Sequence, residues 1–222
     1  MGDVVLVHGA WHGAWCWDGV VAELRHRGVG VSAVELPFTG FADDVALARA
    51  RIEAAGSGAV VCAHSYGGVV VNEAVAGLHS VDHILYLAAF VNTGGTSALF
   101  DRPLPLLDGI ISSGEQSTFD PGYAHDIFYG DSDAKSAAAA ARRLRPMVLE
   151  ASAIVGPALA LPSLPSTYVV CTKDHAIPPE VQYTMATRSE NVIEWPTDHS
   201  PFLTRPGRIA DLLATAARHE TA

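Results

Sequence analysis

The sequence predicts an α/β fold, a mostly parallel sheet of six strands with helices on both faces. Three observations carry that expectation. Short runs such as Val4-Val5-Leu6-Val7 are apolar at every position, the mark of a strand buried on both faces of a parallel sheet. Six such runs alternate with helical stretches, the pattern of repeated βα units. One run, Ala59-Val60-Val61-Cys62, passes abruptly through Ala63-His64-Ser65-Tyr66-Gly67-Gly68 into a helical stretch. A serine between small residues at a strand-to-helix turn reads as a nucleophile elbow, in which strained backbone angles lift the hydroxyl clear of the sheet. Gly67 supplies the small residue two positions after Ser65. Ala63 stands two before it, where the pattern usually has glycine.

In chain order, the first strand ends in His8-Gly9-Ala10-Trp11-His12-Gly13-Ala14-Trp15-Cys16-Trp17, a loop whose glycines allow tight turns with open N–H groups. A helix is expected over 17–27, closed by Gly28. A second strand spans 29–36 and stops at Pro37, and a helix follows over 43–55. After the elbow strand and its helix, 81–90 supplies a fourth strand. The βα rhythm then lapses from about 92 to 165, where seven prolines break the chain into short pieces. Asp120-Pro121 reads as an N-cap with proline in the first helical turn, and 135–144 is alanine-rich and helical. This segment is expected to be a small, mostly helical lid within a single domain spanning 1–222. Strands at 167–171 and 191–195 restore the alternation, with helices to about 189 and over 206–219.

Composition limits the function classes. The chain has 222 residues, 49% of them hydrophobic and 17% charged, enough for one sizeable core. Its formal charge is −10, from 24 acids against 14 bases, which argues against nucleic acid and anionic membranes as partners. The three cysteines, Cys16, Cys62 and Cys171, form no CxxC pair, and Cys62 and Cys171 lie in apolar strand-like runs. No apolar run has the length of a membrane span and no signal stretch precedes the first strand, so a cytoplasmic protein is expected.

Ligands of such sheets bind at the carboxyl ends of the strands. Ser65, Asp174, His199 and the His8-Gly9-Ala10 turn each lie just past such an end. A serine hydroxyl needs a base to become a nucleophile, and an aspartate on the far ring nitrogen fixes the tautomer of that base. Ser65, Asp174 and His199 are therefore the expected catalytic triad. Taken singly, His199 could be a satisfied core histidine and Asp174 a loop acid; their joint placement argues otherwise. Asp198 is too close in the chain to His199 to reach the correct nitrogen and reads as loop support. His8, His12 and His64 read as backbone-supporting or pocket-wall residues, and the arginines 142, 143 and 145 as a solvated helix face. No group of histidines and acids has metal-ligand spacing, and no cofactor is expected.

The segments Val5–Trp17 and Ala63–Gly68 resemble the α/β-hydrolase branch that holds plant methyl esterases, hydroxynitrile lyases and many bacterial esterases. The likeness extends to Lys-Asp-His-Ala-Ile-Pro-Pro-Glu at 173–180 and Asp-His-Ser-Pro-Phe at 198–202, and so covers most of the chain outside the lid. It implies the α/β-hydrolase fold and an oxyanion hole made by the backbone N–H groups of Ala10 and Tyr66. The lyases of the branch carry a threonine after the first-loop histidine and a lysine after the catalytic histidine. Gly9 and Ser200 stand there in this chain, which favours hydrolysis.

Hydrolysis of a carboxylic ester or lactone of a small, largely apolar substrate is the leading expectation. A C–C bond lyase or hydrolase on the same triad, and a non-hydrolytic binding or biosynthetic protein, are the alternatives. Trp11, Phe90, Leu107, Phe128 and Met147 are the candidate pocket residues. A compact lid with an exposed apolar rim would suit a homodimer.

Overall fold

The computed structural model describes residues 2–91, 104–148 and 164–218. Its strands are β1 (Val4–Val7), β2 (Val31–Val34), β3 (Ala59–His64), β4 (Val81–Leu87), β5 (Ile110–Ser113), β6 (Gln116–Phe119), β7 (Met147–Val148), β8 (Ser166–Cys171) and β9 (Asn191–Trp195). Its α-helices are α1 (Asp18–His26), α2 (Phe41–Ala54), α3 (Gly67–Ala74), α4 (Pro121–Phe128), α5 (Ala134–Ala141), α6 (Pro179–Ala186), α7 (Pro201–Thr204) and α8 (Pro206–Ala217). The main sheet has the order β2-β1-β3-β4-β8-β9, and every pairing in it is parallel.

Alternate residues of the central strands feed two cores. Val5 and Val7 of β1 and Val61 and Ala63 of β3 join the cluster containing Ala48 and Ile52 of α2 and Val70 and Val71 of α3. Val4, Leu6, Val60 and Cys62 point the other way, into the cluster formed with Val20 and Leu24 of α1 and Ile209 and Leu213 of α8. Each fully buried aliphatic side chain contributes roughly 1.5–3 kcal/mol. This explains why β1 and β3 read as unbroken apolar runs. Cys16, Cys62 and Cys171 are free thiols buried in the second cluster.

The chain leaves β1 toward β2 on one side and returns to β3 on the other. That reversal opens a crevice at the carboxyl ends of β1 and β3, where ligands of open α/β sheets bind.

The insertion differs from the mostly helical lid expected. Its described part, 104–148, contains α4 and α5 and also a three-stranded antiparallel sheet, β5-β6-β7. The helices start where the sequence indicates. Asp120 accepts from the Gly122 N–H, and Asp133 accepts from Lys135 and Ser136. The strands carry no strand signal because β5 and β6 mix serine, threonine and glutamine with few apolar residues, and β7 has only two residues. The parts of the insertion at 92–103 and 149–163, and the end of the last helix at 219, lie outside the described residues.

The packing of α3 against the turn after β4 gives a direct test. A Cβ on Gly68 would lie 2.3 Å from the Phe90 carbonyl oxygen and 2.9 Å from Ala89 Cβ. Backbone cannot yield as a flexible side chain does, so Gly68→Ala is expected to destabilise by about 1–3 kcal/mol. Thermal unfolding would read this as a Tm lowered by roughly 2–10 °C; an unchanged Tm would show that α3 is free to shift.

Candidate active site

Strand register assembles the first half of the site. Val7 pairs with Ala63, so the residues that follow, His8-Gly9 and His64-Ser65, leave the sheet side by side. Ser65 has φ +51°, a left-handed conformation that side chains with a Cβ avoid and that costs of order 1–3 kcal/mol. Its carbonyl holds the turn by accepting from Gly68 N and Phe90 N, both at 2.9 Å. The neighbours must be small. A Cβ on Gly67 would lie 2.7 Å from His8 O, and one on Gly9 would lie 2.8 Å from Ser65 Cβ. No side chain fits at position 9 without a backbone shift, whatever its chemistry.

The second half comes from the loops after β8 and β9. His199 Nδ1–H donates to Asp174 Oδ2 at 2.7 Å, and both side chains are buried. The carboxylate is fully engaged. Its Oδ1 accepts from Ala176 N (2.7 Å) and Ile177 N (2.9 Å), and Oδ2 also accepts from Gln182 Nε2 at 2.8 Å. Ser65, 6% exposed, and His199 share no hydrogen bond with each other among the described residues. Such contacts are often loose in ligand-free sites and tighten with substrate.

Gln182 was not singled out from the sequence. Fully buried on α6, its Nε2 donates to Asp174 and to Ile177 O (2.7 Å), while its Oε1 accepts from Cys171 N (2.9 Å). The available signal was a glutamine sharing the buried helix face with Val181 and Met185. Asp198, by contrast, makes no contact with the His199 ring nitrogens. Its oxygens accept from Asp131 N and Ser200 N, and its own N–H donates to Asp131 Oδ2. It is the loop support expected.

Three further buried histidines surround the site, and each bonds to backbone. His8 Nδ1–H donates to Gly9 O at 2.9 Å, and its Nε2 accepts from Leu36 N. His12 Nδ1–H donates to Ala10 O at 2.8 Å. His64 Nε2–H donates to His199 O at 2.9 Å, and its ring lies 4.6 Å from that of His199. Burial holds the His8 pKa down to about 3 and that of His12 to about 4, and lowers that of His64 as well. All three imidazoles are therefore neutral.

Of the two expected oxyanion donors, Ala10 lies one residue past Gly9, which packs against Ser65. Tyr66 follows Ser65 directly, with its hydroxyl anchored by donation to Asp44 Oδ2 at 2.8 Å. Asp44, buried at the start of α2, also accepts from Phe38 N, and burial raises its pKa. The Ala10 N–H donates to no protein acceptor among the described residues.

Of the candidate pocket residues, Trp11 and Phe128 form an aromatic cluster with Phe119, and Phe128 reaches to 5.8 Å from the His199 ring. Phe90 and Met147 are buried in the same core. Leu107 is 53% exposed, so it lies at the surface and not in that cluster. Arg142 and Arg143 are exposed as expected, but Arg145 departs from the solvated-face reading. Arg145 donates from its backbone N to Trp11 O (2.7 Å) and from its guanidinium to His12 O and Leu36 O, and it pairs with Glu35. Arg143 stacks over Trp15. These contacts link segments far apart in the chain, which no local pattern reveals. Among the described residues no group of histidines, cysteines and acids could hold a metal ion, and no helix is long and apolar enough to cross a membrane.

A family model described as "Alpha/beta hydrolase family" matches residues 4–212. The alpha/beta hydrolase nvfD of Aspergillus novofumigatus is 26% identical over 239 residues, covering 96% of each chain. Methylesterase 18 of Arabidopsis thaliana is 25% identical over 261 residues, again covering 96% of each. Among solved structures, tomato methylketone synthase I complexed with 2-tridecanone superposes with a TM-score of 0.83 at 21% identity, covering 99% of each chain. A pyrethroid hydrolase from Sphingobium faniae JZ-2 gives 0.82 at 22% identity, covering 98% of this chain and 97% of that one. At these identities the structural likeness concerns the fold.

Two expectations follow from the site. Gln182→Leu leaves Asp174, Ile177 O and the Cys171 N–H short of partners and is expected to destabilise by about 2–4 kcal/mol; a denaturant midpoint equal to wild type would remove Gln182 from the network. The buried histidines also predict acid sensitivity. Their folded pKa values lie below the unfolded value of 6.5, so as pH falls the unfolded state takes up protons first. Stability is full above pH 6.5 and declines toward pH 4, by up to about 1.4 kcal/mol per pH unit for each such imidazole. Urea titrations at pH 7 and pH 5 measure this, and equal stabilities would mean that the rings are charged in the fold.

Proposed function

Because the chain belongs to the alpha/beta hydrolase family, we propose that it is a serine hydrolase of carboxylic esters or lactones with small, largely apolar substrates. The observation that carries this reading is the buried 2.7 Å bond from His199 to Asp174, held on loops that converge on strained Ser65. In the proposed cycle His199 Nε2 takes the Ser65 Oγ proton as Oγ bonds to the substrate carbonyl carbon. The carbonyl oxygen becomes an oxyanion between the N–H groups of Ala10 and Tyr66. Collapse breaks the carbon–oxygen bond to the alcohol, which leaves with the proton from His199, and Ser65 carries the acyl group. Water then loses a proton to His199 and attacks the same carbon, releasing the acid and restoring Ser65. Asp174 keeps the proton on Nδ1 and stabilises the transient imidazolium. The cycle uses no cofactor.

The Trp11–Phe119–Phe128 cluster beside His199 supports an apolar acyl or alcohol group. The methylesterase relatives support an ester as the scissile bond. Gly9 bears against lyase chemistry, because it supplies no side-chain hydroxyl beside Ser65.

A p-nitrophenyl ester series of increasing acyl length tests the reading. Turnover is expected to vanish in Ser65→Ala and to fall by about 10⁴-fold in Asp174→Asn, with a much smaller loss in Asp198→Asn. A serine-directed phosphonate should label Ser65. A folded wild type that neither hydrolyses these esters nor reacts with the phosphonate would sink the proposal in favour of a binding or biosynthetic role. A greater loss in Asp198→Asn would reassign the acid.

A further inference from the structure

The first loop is fixed from both sides of Ala10. A trans peptide is planar, so its C=O and N–H point in opposite directions, and holding one aims the other. His8 holds Gly9 O, and with it the plane of the peptide that carries the Ala10 N–H. His12 holds Ala10 O, and with it the next peptide plane. The two imidazoles thus restrain both torsions at Ala10.

The lid completes this arrangement. The Tyr129 hydroxyl, just past α4, lies 2.9 Å from His12 Nε2, and both residues are buried. Ala10 O can only accept, so His12 must carry its proton on Nδ1. The ring is neutral, because burial keeps its pKa near 4. Nε2 is then an acceptor, and Tyr129 is the donor that occupies it. In the opposite tautomer the Nδ1 lone pair would face Ala10 O at 2.8 Å, a repulsive contact. Arg145 braces the same loop through the Trp11 and His12 carbonyls, so the insertion grips it at two separate points.

We propose that Tyr129 and His12 are positioning residues for the oxyanion hole: the lid hydroxyl holds the His12 ring in place through Nε2, and His12 fixes the loop that presents the Ala10 N–H. The inference rests on the serine hydrolase reading. It makes the lid part of the machinery that stabilises the oxyanion and not only a cover for the substrate. Neither residue touches the reacting atoms.

The test compares wild type, Tyr129→Phe, His12→Asn, His12→Leu and Ser65→Ala on p-nitrophenyl acetate, with the rate of phosphonate labelling as a second readout. Tyr129→Phe keeps the ring and removes one oxygen. It is expected to lower kcat about 10- to 100-fold, somewhat less than outright loss of an oxyanion donor. KM should stay within about twofold, as expected where an interaction matters only in the transition state. Labelling of Ser65 should slow by a similar factor. His12→Asn can still donate to Ala10 O through its amide and should retain activity that His12→Leu loses. Nitrogen NMR should find His12 as the Nδ1–H tautomer in both proteins, with the Nε2 resonance shifted in Tyr129→Phe by loss of its hydrogen bond.

Wild-type kcat and labelling rate in Tyr129→Phe would overturn the assignment. So would equal losses in the two His12 variants, which would indicate packing alone. A wild type no more reactive than Ser65→Ala would instead overturn the hydrolase reading, and this inference with it.

Discussion

The close approach of two backbone turns, after β1 and after β3, is the constraint on which the rest of this structure depends. The parallel register of Val7 with Ala63 brings Gly9 against Ser65 and Gly67 against His8 O. Only residues without a Cβ permit that distance. It sets the strained serine beside the first loop, and His199 arrives next to it through the bond from His64 to its carbonyl. Asp174 and His199 reach it because β8 and β9 continue the same parallel sheet, so their loops emerge at the same edge.

Around that contact the electrostatics are sparing. The site is built from buried neutral imidazoles and one carboxylate with four hydrogen-bond donors. Neutral rings with settled tautomers can orient backbone without adding charge near the serine. In the proposed reaction, charge would develop only on the oxyanion and on His199, within a desolvated setting in which fixed dipoles act strongly. Gln182 and Asp44 extend this logic. Each is a buried polar group with its partners in place, anchoring Asp174 in one case and the Tyr66 hydroxyl in the other.

The insertion has a structural part in the site. Tyr129 meets His12, Arg145 meets the carbonyls of the first loop, and Asp131 and Asp198 exchange backbone-to-carboxylate bonds beside His199. The insertion is thus cross-linked by polar contacts to the first loop and to the loop that carries His199. Apolar packing of Phe119 and Phe128 on Trp11 fills the space between them.

By itself the sequence determined the elements whose physics is local. Unbroken apolar runs marked β1 and β3 because both faces of each strand are buried, and the small residues around Ser65 marked the elbow. Asp120 and Asp133 marked helix starts through the N–H groups they cap. The pairing of His199 with Asp174 was also legible, since a residue adjacent to His199 does not easily reach its Nδ1. What only the tertiary structure decided were contacts between segments, Asp44 on Tyr66, Arg145 on Trp11 and His12, and Tyr129 on His12, together with the turn that folds Gln182 back onto Asp174. The β5-β6-β7 sheet belongs with them, since its short strands, Ile-Ile-Ser-Ser and Gln-Ser-Thr-Phe among them, have no unbroken apolar run of the kind that marks β1. A single side chain records its own preference for burial or charge, but which partner meets it across a hundred residues is set by how the layers pack, and that the sequence expresses only through the folded whole.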